Sequence, residues 1–137
     1  WSLYIDESGK PMYHYNWLGH VHSVVGDTQT LQAGHHEIVV DFAYDGGFGA
    51  GGVATLYVDS REAGSVRIDK TVPLVYSMSG ETFDIGVDTG SPVGNYPHLF
   101  TCTAEIVGVT IERLDEPSAA TKQKMREGEF KASISTQ

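Results

Sequence analysis

Apolar and polar positions alternate in short runs along this chain, and turn-forming residues separate the runs. "WSLYID" is followed by Glu7-Ser8-Gly9-Lys10-Pro11, which predicts a hairpin connection. In "MYHYNWL" the alternation puts Tyr13, Tyr15 and Trp17 on one side and His14 and Asn16 on the other. "HVHSVV" follows Gly19, and "HEIVVDFAY" places Ile38, Val40, Phe42 and Tyr44 on one face. "VATLYVD" alternates again, and "GSVRID" follows a turn expected near Ser60–Gly64. "VPLVYS", "TFDIGV" and the long run "LFTCTAEIVGVTIERL" complete the series. In the last run Cys102, Ala104 and Ile106 share one parity, and Val107, Val109 and Ile111 share the other. That change beside Gly108 is read either as a bulge or as burial of both faces.

Eight or nine short strands with Gly and Pro turns predict an all-β antiparallel sandwich or jelly roll. No long period of 3.6 appears before residue 115. The expected organisation is one β-sandwich domain over residues 1–114 and a polar tail over 115–137, with one short helix expected near Ser118–Glu127 or none. A chain of 137 residues is long enough to bury a core. No signal peptide opens it, and Trp1 already belongs to a strand-like run, so the chain reads as a fragment or processed product of unspecified compartment.

Charge narrows the partners. The net charge is −9, and the last 23 residues hold four acids and four bases, so all of the excess lies in residues 1–114. A surface of this sign repels a phosphate backbone and anionic lipid, which argues against nucleic-acid and membrane partners and leaves cations open. The single cysteine, Cys102, excludes an internal disulfide and is expected to act as a small buried hydrophobe.

Four groups of residues bear on chemistry. The glycine run "YDGGFGAGG" contains G-x-G-x-x-G at Gly47, Gly49 and Gly52. A nucleotide fingerprint needs a helix N-terminus after the loop, and here the alternating strand "VATLYVD" follows instead. A hairpin loop that lets backbone approach a neighbour is the expected role of Gly47, Gly49 and Gly52. Asp84, Asp88 and Thr89 in "FDIGVDTGSPV" are candidate calcium or carbohydrate ligands, joined by Asp45 only if the fold brings the loops together. The plain reading makes these aspartates turn caps. His20 and His22, at i and i+2 on a strand, are weak metal candidates, and His35 and His36 are expected to open another strand. No G-x-S-x-G elbow and no H-E-x-x-H pair is present, and no catalytic residue is assigned.

Four stretches carry a further signal: "PMYHYNWLG", "AGHHEIVVDFAYDGGFGAGGVATLYVD", "TVPLVYSMSGETFDIGVDTGSPV" and "FTCTAEIVGVTIERL". In this order they resemble the C-terminal domain of large bacterial arylsulfatases, over about residues 1–114. The resemblance implies a concanavalin-like β-sandwich that serves as a non-catalytic accessory domain, shaping the active site or oligomer of a parent sulfate ester hydrolase. The divalent metal and the formylglycine of such an enzyme belong to its catalytic core. The formylglycine motif C/S-x-P-x-R is absent around Cys102, which precedes Thr103-Ala104-Glu105-Ile106. His20, His22 and the polar tail depart from the family pattern. The family domain also begins with strands upstream of the position matching Trp1. That implies an open edge filled by the catalytic module or by another copy of this chain. A free-standing carbohydrate- or ligand-binding module, with Tyr13, Tyr15 and Trp17 stacking on sugar rings, is the alternative; the plain reading puts those three in the core.

Overall fold

The computed structural model describes residues 1–73 and 83–113. Among these residues eight strands run in chain order: β1 (Ser2–Ile5), β2 (Pro11–Trp17), β3 (Val21–Gly26), β4 (Ile38–Tyr44), β5 (Ala50–Val58), β6 (Arg61–Lys70), β7 (Val87–Asp88) and β8 (Phe100–Thr101). They form three antiparallel sheets of order β1-β2-β3, β4-β5-β6 and β7-β8. The all-β antiparallel architecture expected from the alternation is present. Every ladder among the described residues joins neighbours in sequence, so the two main sheets are meanders, and these ladders draw no jelly-roll crossover.

The two meanders face each other, with β3 against β6 and β2 and β3 against β5. Tyr13, Tyr15 and Val25 from the first sheet meet Ala54, Leu56 and Ile68 from the second, all nine-tenths or more buried. Trp17, Ile38, Val40, Phe42 and Val66 pack around them. The burial follows the strand period of two: Ala54, Leu56 and Val58 point inward from β5, while their neighbours stay partly exposed. The Tyr15 hydroxyl accepts the Val72 amide at 2.8 Å, so this buried ring keeps a polar partner. Gly64 lets β6 approach the first sheet closely, because a β carbon there would stand 3.0 Å from Val25 Cγ2.

Turns follow local chemistry. Asp6 Oδ1 accepts from the amides of Ser8 and Lys10, each at 2.9 Å, and closes the β1–β2 hairpin. The β5–β6 turn is tighter than expected: it consists of Asp59 and Ser60 alone, and β6 already begins at Arg61. Gly64 sits inside β6 beside a bulge that shifts the register at Leu56/Tyr57.

The last long run departs most from expectation. Among the described residues only Phe100 and Thr101 of this run enter a ladder, extended by the Cys102 amide donating to the Gly86 carbonyl at 2.7 Å. Residues 103–113 pair with no strand among the described residues. Cys102 is exposed, not buried. Alternation is a necessary condition for a strand; a partner edge is the other, and a local pattern cannot contain it. The Val72–Ser77 strand expectation lies largely outside the described residues, and the tail and its helix lie wholly outside them. No helix among the described residues is long and apolar enough to cross a membrane.

Candidate functional site

A cleft of about 320 Å³ opens where the chain passes from the first sheet to the second. The residues after β3 supply Asp27, Gln29, Thr30, Leu31 and Gln32; His36 precedes β4; Asp59 and Arg61 flank the β5–β6 turn. Asp27 is buried, with its side chain 1% exposed, and its Oδ2 accepts Arg61 Nη2 at 2.5 Å. Its Oδ1 accepts the Gln29 amide at 3.0 Å. Burial acts to raise the Asp27 pKa, but the Gln29 amide and the Arg61 guanidinium outweigh it and hold the carboxyl below its ordinary value.

Across the cleft, His36 faces two acceptors. Its Nδ1 lies 2.7 Å from Asp59 Oδ2 and its Nε2 lies 2.8 Å from the Gln32 carbonyl. Both nitrogens can donate at once only in the imidazolium form, so the Asp59 carboxylate and the Gln32 carbonyl raise the His36 pKa. Asp59 also accepts the Glu37 amide at 2.9 Å, which together with His36 lowers its own pKa. An imidazole with an acceptor at each nitrogen is favoured in its protonated form, and in that form it has no free nitrogen to act as a general base. The cleft thus holds the Asp27 and Asp59 carboxylates, the Arg61 guanidinium and an imidazole whose protonation its neighbours favour. Their chemistry suits positioning of a polar ligand or of the connection itself.

The turn beside this cleft is strained. Asp59 and Ser60 adopt φ of 50° and 65°, the left-handed region that favours glycine. The Asp59 bonds to His36 and Glu37 hold it there.

The glycine run is a hairpin loop between β4 and β5, as its flanking strands imply. Its close contacts are made within this chain. A β carbon on Gly49 (φ 63°) would meet Pro73 Cβ at 3.3 Å, and one on Gly52 would meet the Ala43 carbonyl at 2.5 Å and the Phe42 ring at 2.6 Å. Gly47 is open, and its carbonyl accepts the Tyr44 hydroxyl. The Asp45 carboxylate is gripped by Arg67 through Nη2 at 2.5 Å and Nη1 at 3.1 Å.

The aspartates after β6 act within their own loop. Asp84 Oδ2 accepts both the amide and the hydroxyl of Thr89, at 2.9 and 2.5 Å. Asp88 accepts the Gly90 amide and the Tyr96 hydroxyl, at 3.2 and 2.7 Å. Asp45 is not brought together with Asp84 and Asp88: among the described residues no group of three or more His, Cys, Asp or Glu is placed to hold a metal ion.

The histidines also rearrange. His20 stands in the turn before β3, its ring 6.0 Å from that of Trp17 and tilted 50° to it, so His20 and His22 do not share a strand face. His22 Nδ1 instead meets the buried His14 Nε2 at 2.7 Å. Burial first, and repulsion by His22 second, depress the His14 pKa. His36 lies in the connection, because β4 begins only at Ile38. His14 and the Asp27–Arg61 pair were not anticipated. The single signal for Asp27 is the turn-like "GDTQT" after an apolar run, and its partner lies 34 residues away.

Several apolar side chains stay exposed in the segments that lead into β7 and β8. Phe83 is 58% exposed, Ile85 54% and Leu99 57%, and the Phe83 ring lies 5.7 Å from the half-exposed Trp1 ring, tilted 57° to it. No protein-family model, curated protein or solved structure matches the chain.

Proposed function

We propose that the chain is a non-catalytic β-sandwich accessory domain of an arylsulfatase-type sulfate ester hydrolase, docking on the catalytic module and shaping its active site or oligomer. The observation that carries this reading is the pair of exposed rings Trp1 and Phe83, with centroids 5.7 Å apart, with Ile85 and Leu99 also exposed in the segments that lead into β7 and β8. Large apolar side chains held out of the core mark a surface that another protein covers. The ordered resemblance of the four stretches above supplies the kind of partner. The purified chain is expected to show no turnover of an aryl sulfate with or without added divalent metal. The docking arm uses a separately produced sulfatase catalytic module, whose binding is expected to weaken on Phe83→Asp and Leu99→Asp. Metal-dependent hydrolysis that tracks with the pure chain would sink the proposal.

The polar cleft favours a second reading, a free-standing module for a carbohydrate or similar polar ligand. Its lining of carboxylates, amides and a guanidinium matches hydroxyl-rich ligands. Tyr13 and Tyr15 are buried in the core and supply no stacking platform. A glycan array with and without calcium tests this reading, and flat binding across all sugars counts against it.

A further inference from the structure

The guanidinium in the polar cleft is oriented by the fold and still reachable from solvent. Arg61 lines the cleft, and its side chain is 43% exposed although Asp27 holds it. The hold is one-sided: Asp27 Oδ2 accepts from Nη2, while Asp27 Oδ1 accepts from the Gln29 amide. A guanidinium carries five N–H donors in a fixed fork, so its solvent side keeps donors for a second acceptor. Asp27 is only 5% exposed, so it orients the fork without presenting its own charge to the cleft. The facing wall is fixed as well. Thr30 Oγ1 donates to the Ser8 carbonyl at 3.0 Å, the Leu31 amide donates to the Gly9 carbonyl at 2.9 Å, and His36 Nε2 meets the Gln32 carbonyl at 2.8 Å. Asp59 is half exposed; His36 and the Glu37 amide each engage one of its oxygens, and a carboxylate has about four lone-pair sites. The cleft thus offers a forked cation at one point and acceptor oxygens at another, on walls that need little reordering to bind.

We propose that this cleft recognises a hydroxylated carboxylate of the uronic acid class, with the solvent side of Arg61 taking the carboxylate and Asp59 accepting from the hydroxyls. This assignment deepens the polar-ligand reading of the cleft and rests on it. A flat, two-oxygen carboxylate is the match for a guanidinium fork, through two parallel N–H···O bonds. The cleft volume of about 320 Å³ is that of a small ligand pocket and suits a single sugar unit. Gln29, whose amide shares Asp27 with Arg61, brings an exposed carboxamide to the same lining. Asp59 selects against a second negative charge, because a dianion placed on Arg61 keeps an uncompensated charge beside that carboxylate. The net charge of −9 opposes anions at long range. In about 0.15 M salt, exposed charges more than about 8 Å apart are largely screened, so the local pairing with Arg61 decides.

The test titrates glucuronate, glucose and a glucose sulfate into the isotope-labelled full chain, followed by NMR at about 0.15 M salt. Glucuronate is expected to move the amide signals of Gln29, Asp59 and Arg61, with an affinity at least about tenfold above that of glucose. Gln29→Glu is a surface change that leaves Asp27 paired. It is expected to lower glucuronate affinity about fivefold, the effect of one like charge about 4 Å away in water, and to leave glucose unchanged. Arg61→Lys keeps a cation for Asp27 but loses the fork. It is expected to abolish the preference for glucuronate while the methyl signals of Leu56 and Ile68 stay in place. Should Arg61→Lys fail to fold, Gln29→Glu decides alone. Equal affinity for glucuronate and glucose, unmoved by Gln29→Glu, overturns the proposal and leaves the polar-ligand reading standing. A preference for glucuronate that survives both variants places the anion elsewhere and overturns it too. The glucose sulfate bound as tightly as glucuronate overturns the choice of a planar carboxylate. Silence from all three ligands overturns both this proposal and the polar-ligand reading.

Discussion

Removing Asp27 is expected to loosen the junction between the two sheets. Its carboxylate is buried and accepts Arg61 at 2.5 Å and the Gln29 amide at 3.0 Å. A hydrogen bond to a charged group contributes about 1.5–3 kcal/mol when its loss leaves a partner unsatisfied. The Arg61 side chain is 43% exposed, so water takes over part of its solvation when Asp27 is gone. That lowers the pairwise term toward the range of solvent-screened pairs, about 1 kcal/mol. Asp27→Ala is therefore expected to cost about 2–3 kcal/mol in total, with about 1 kcal/mol of coupling to Arg61. Urea unfolding of the wild type, Asp27→Ala, Arg61→Ala and the double variant gives that coupling directly. Because the folded pKa of Asp27 is depressed, its contribution is complete above the unfolded value of about 3.9 and disappears as pH falls through the lower folded value. The cycle should thus show coupling at neutral pH and none in strong acid. Coupling below about 0.3 kcal/mol at neutral pH would refute the argument that this buried pair ties the sheets.

His36 predicts the opposite pH response. Its folded pKa is raised, so its contribution is present below the unfolded value of about 6.5 and lost as pH rises through the higher folded value. Stability measured across neutral pH should fall with rising pH in the wild type more steeply than in His36→Gln, and parallel profiles would contradict the double-donor geometry. Ser60→Gly relieves a side chain held at φ 65° and is expected to raise stability by about 0.5–1 kcal/mol, net of the extra chain entropy of glycine. A lowered Tm would show that Ser60 makes a contact outweighing its backbone strain.

What the sequence makes legible here is local. Tyr13 and Tyr15 alternate with polar neighbours and are buried, and Ala54, Leu56 and Val58 behave alike on β5. The glycine run was legible as a hairpin because a strand pattern follows it, and Asp84 and Asp88 close turns through groups two to eight residues away. Pairing across long separations was not legible. Val107, Val109 and Ile111 carry a strand pattern that encodes no partner, so an expected interior strand is an exposed arm. Asp27 and Arg61 are each unremarkable locally, and the buried carboxylate meets its half-exposed guanidinium only when the second meander folds over the first. The spacing of His20 and His22 places both on one strand face only if the strand includes His20; β3 begins at Val21, so His22 meets His14 instead.

The meander order also bears on the path by which the chain folds. Among the described residues each ladder joins strands adjacent in sequence, so the two main sheets can zip from hairpins whose closing loops are short. The contacts from Tyr13, Tyr15 and Val25 to Ala54, Leu56 and Ile68 span far more chain and carry the larger entropic cost. Assembly of two preformed sheets is then the slow event, and the bonds of Asp27 with Arg61 tighten only once it is complete. Interactions formed after the barrier govern escape rather than entry. The Asp27–Arg61 pair between the two sheets thus acts mainly as a latch on the finished molecule, setting how long it stays closed.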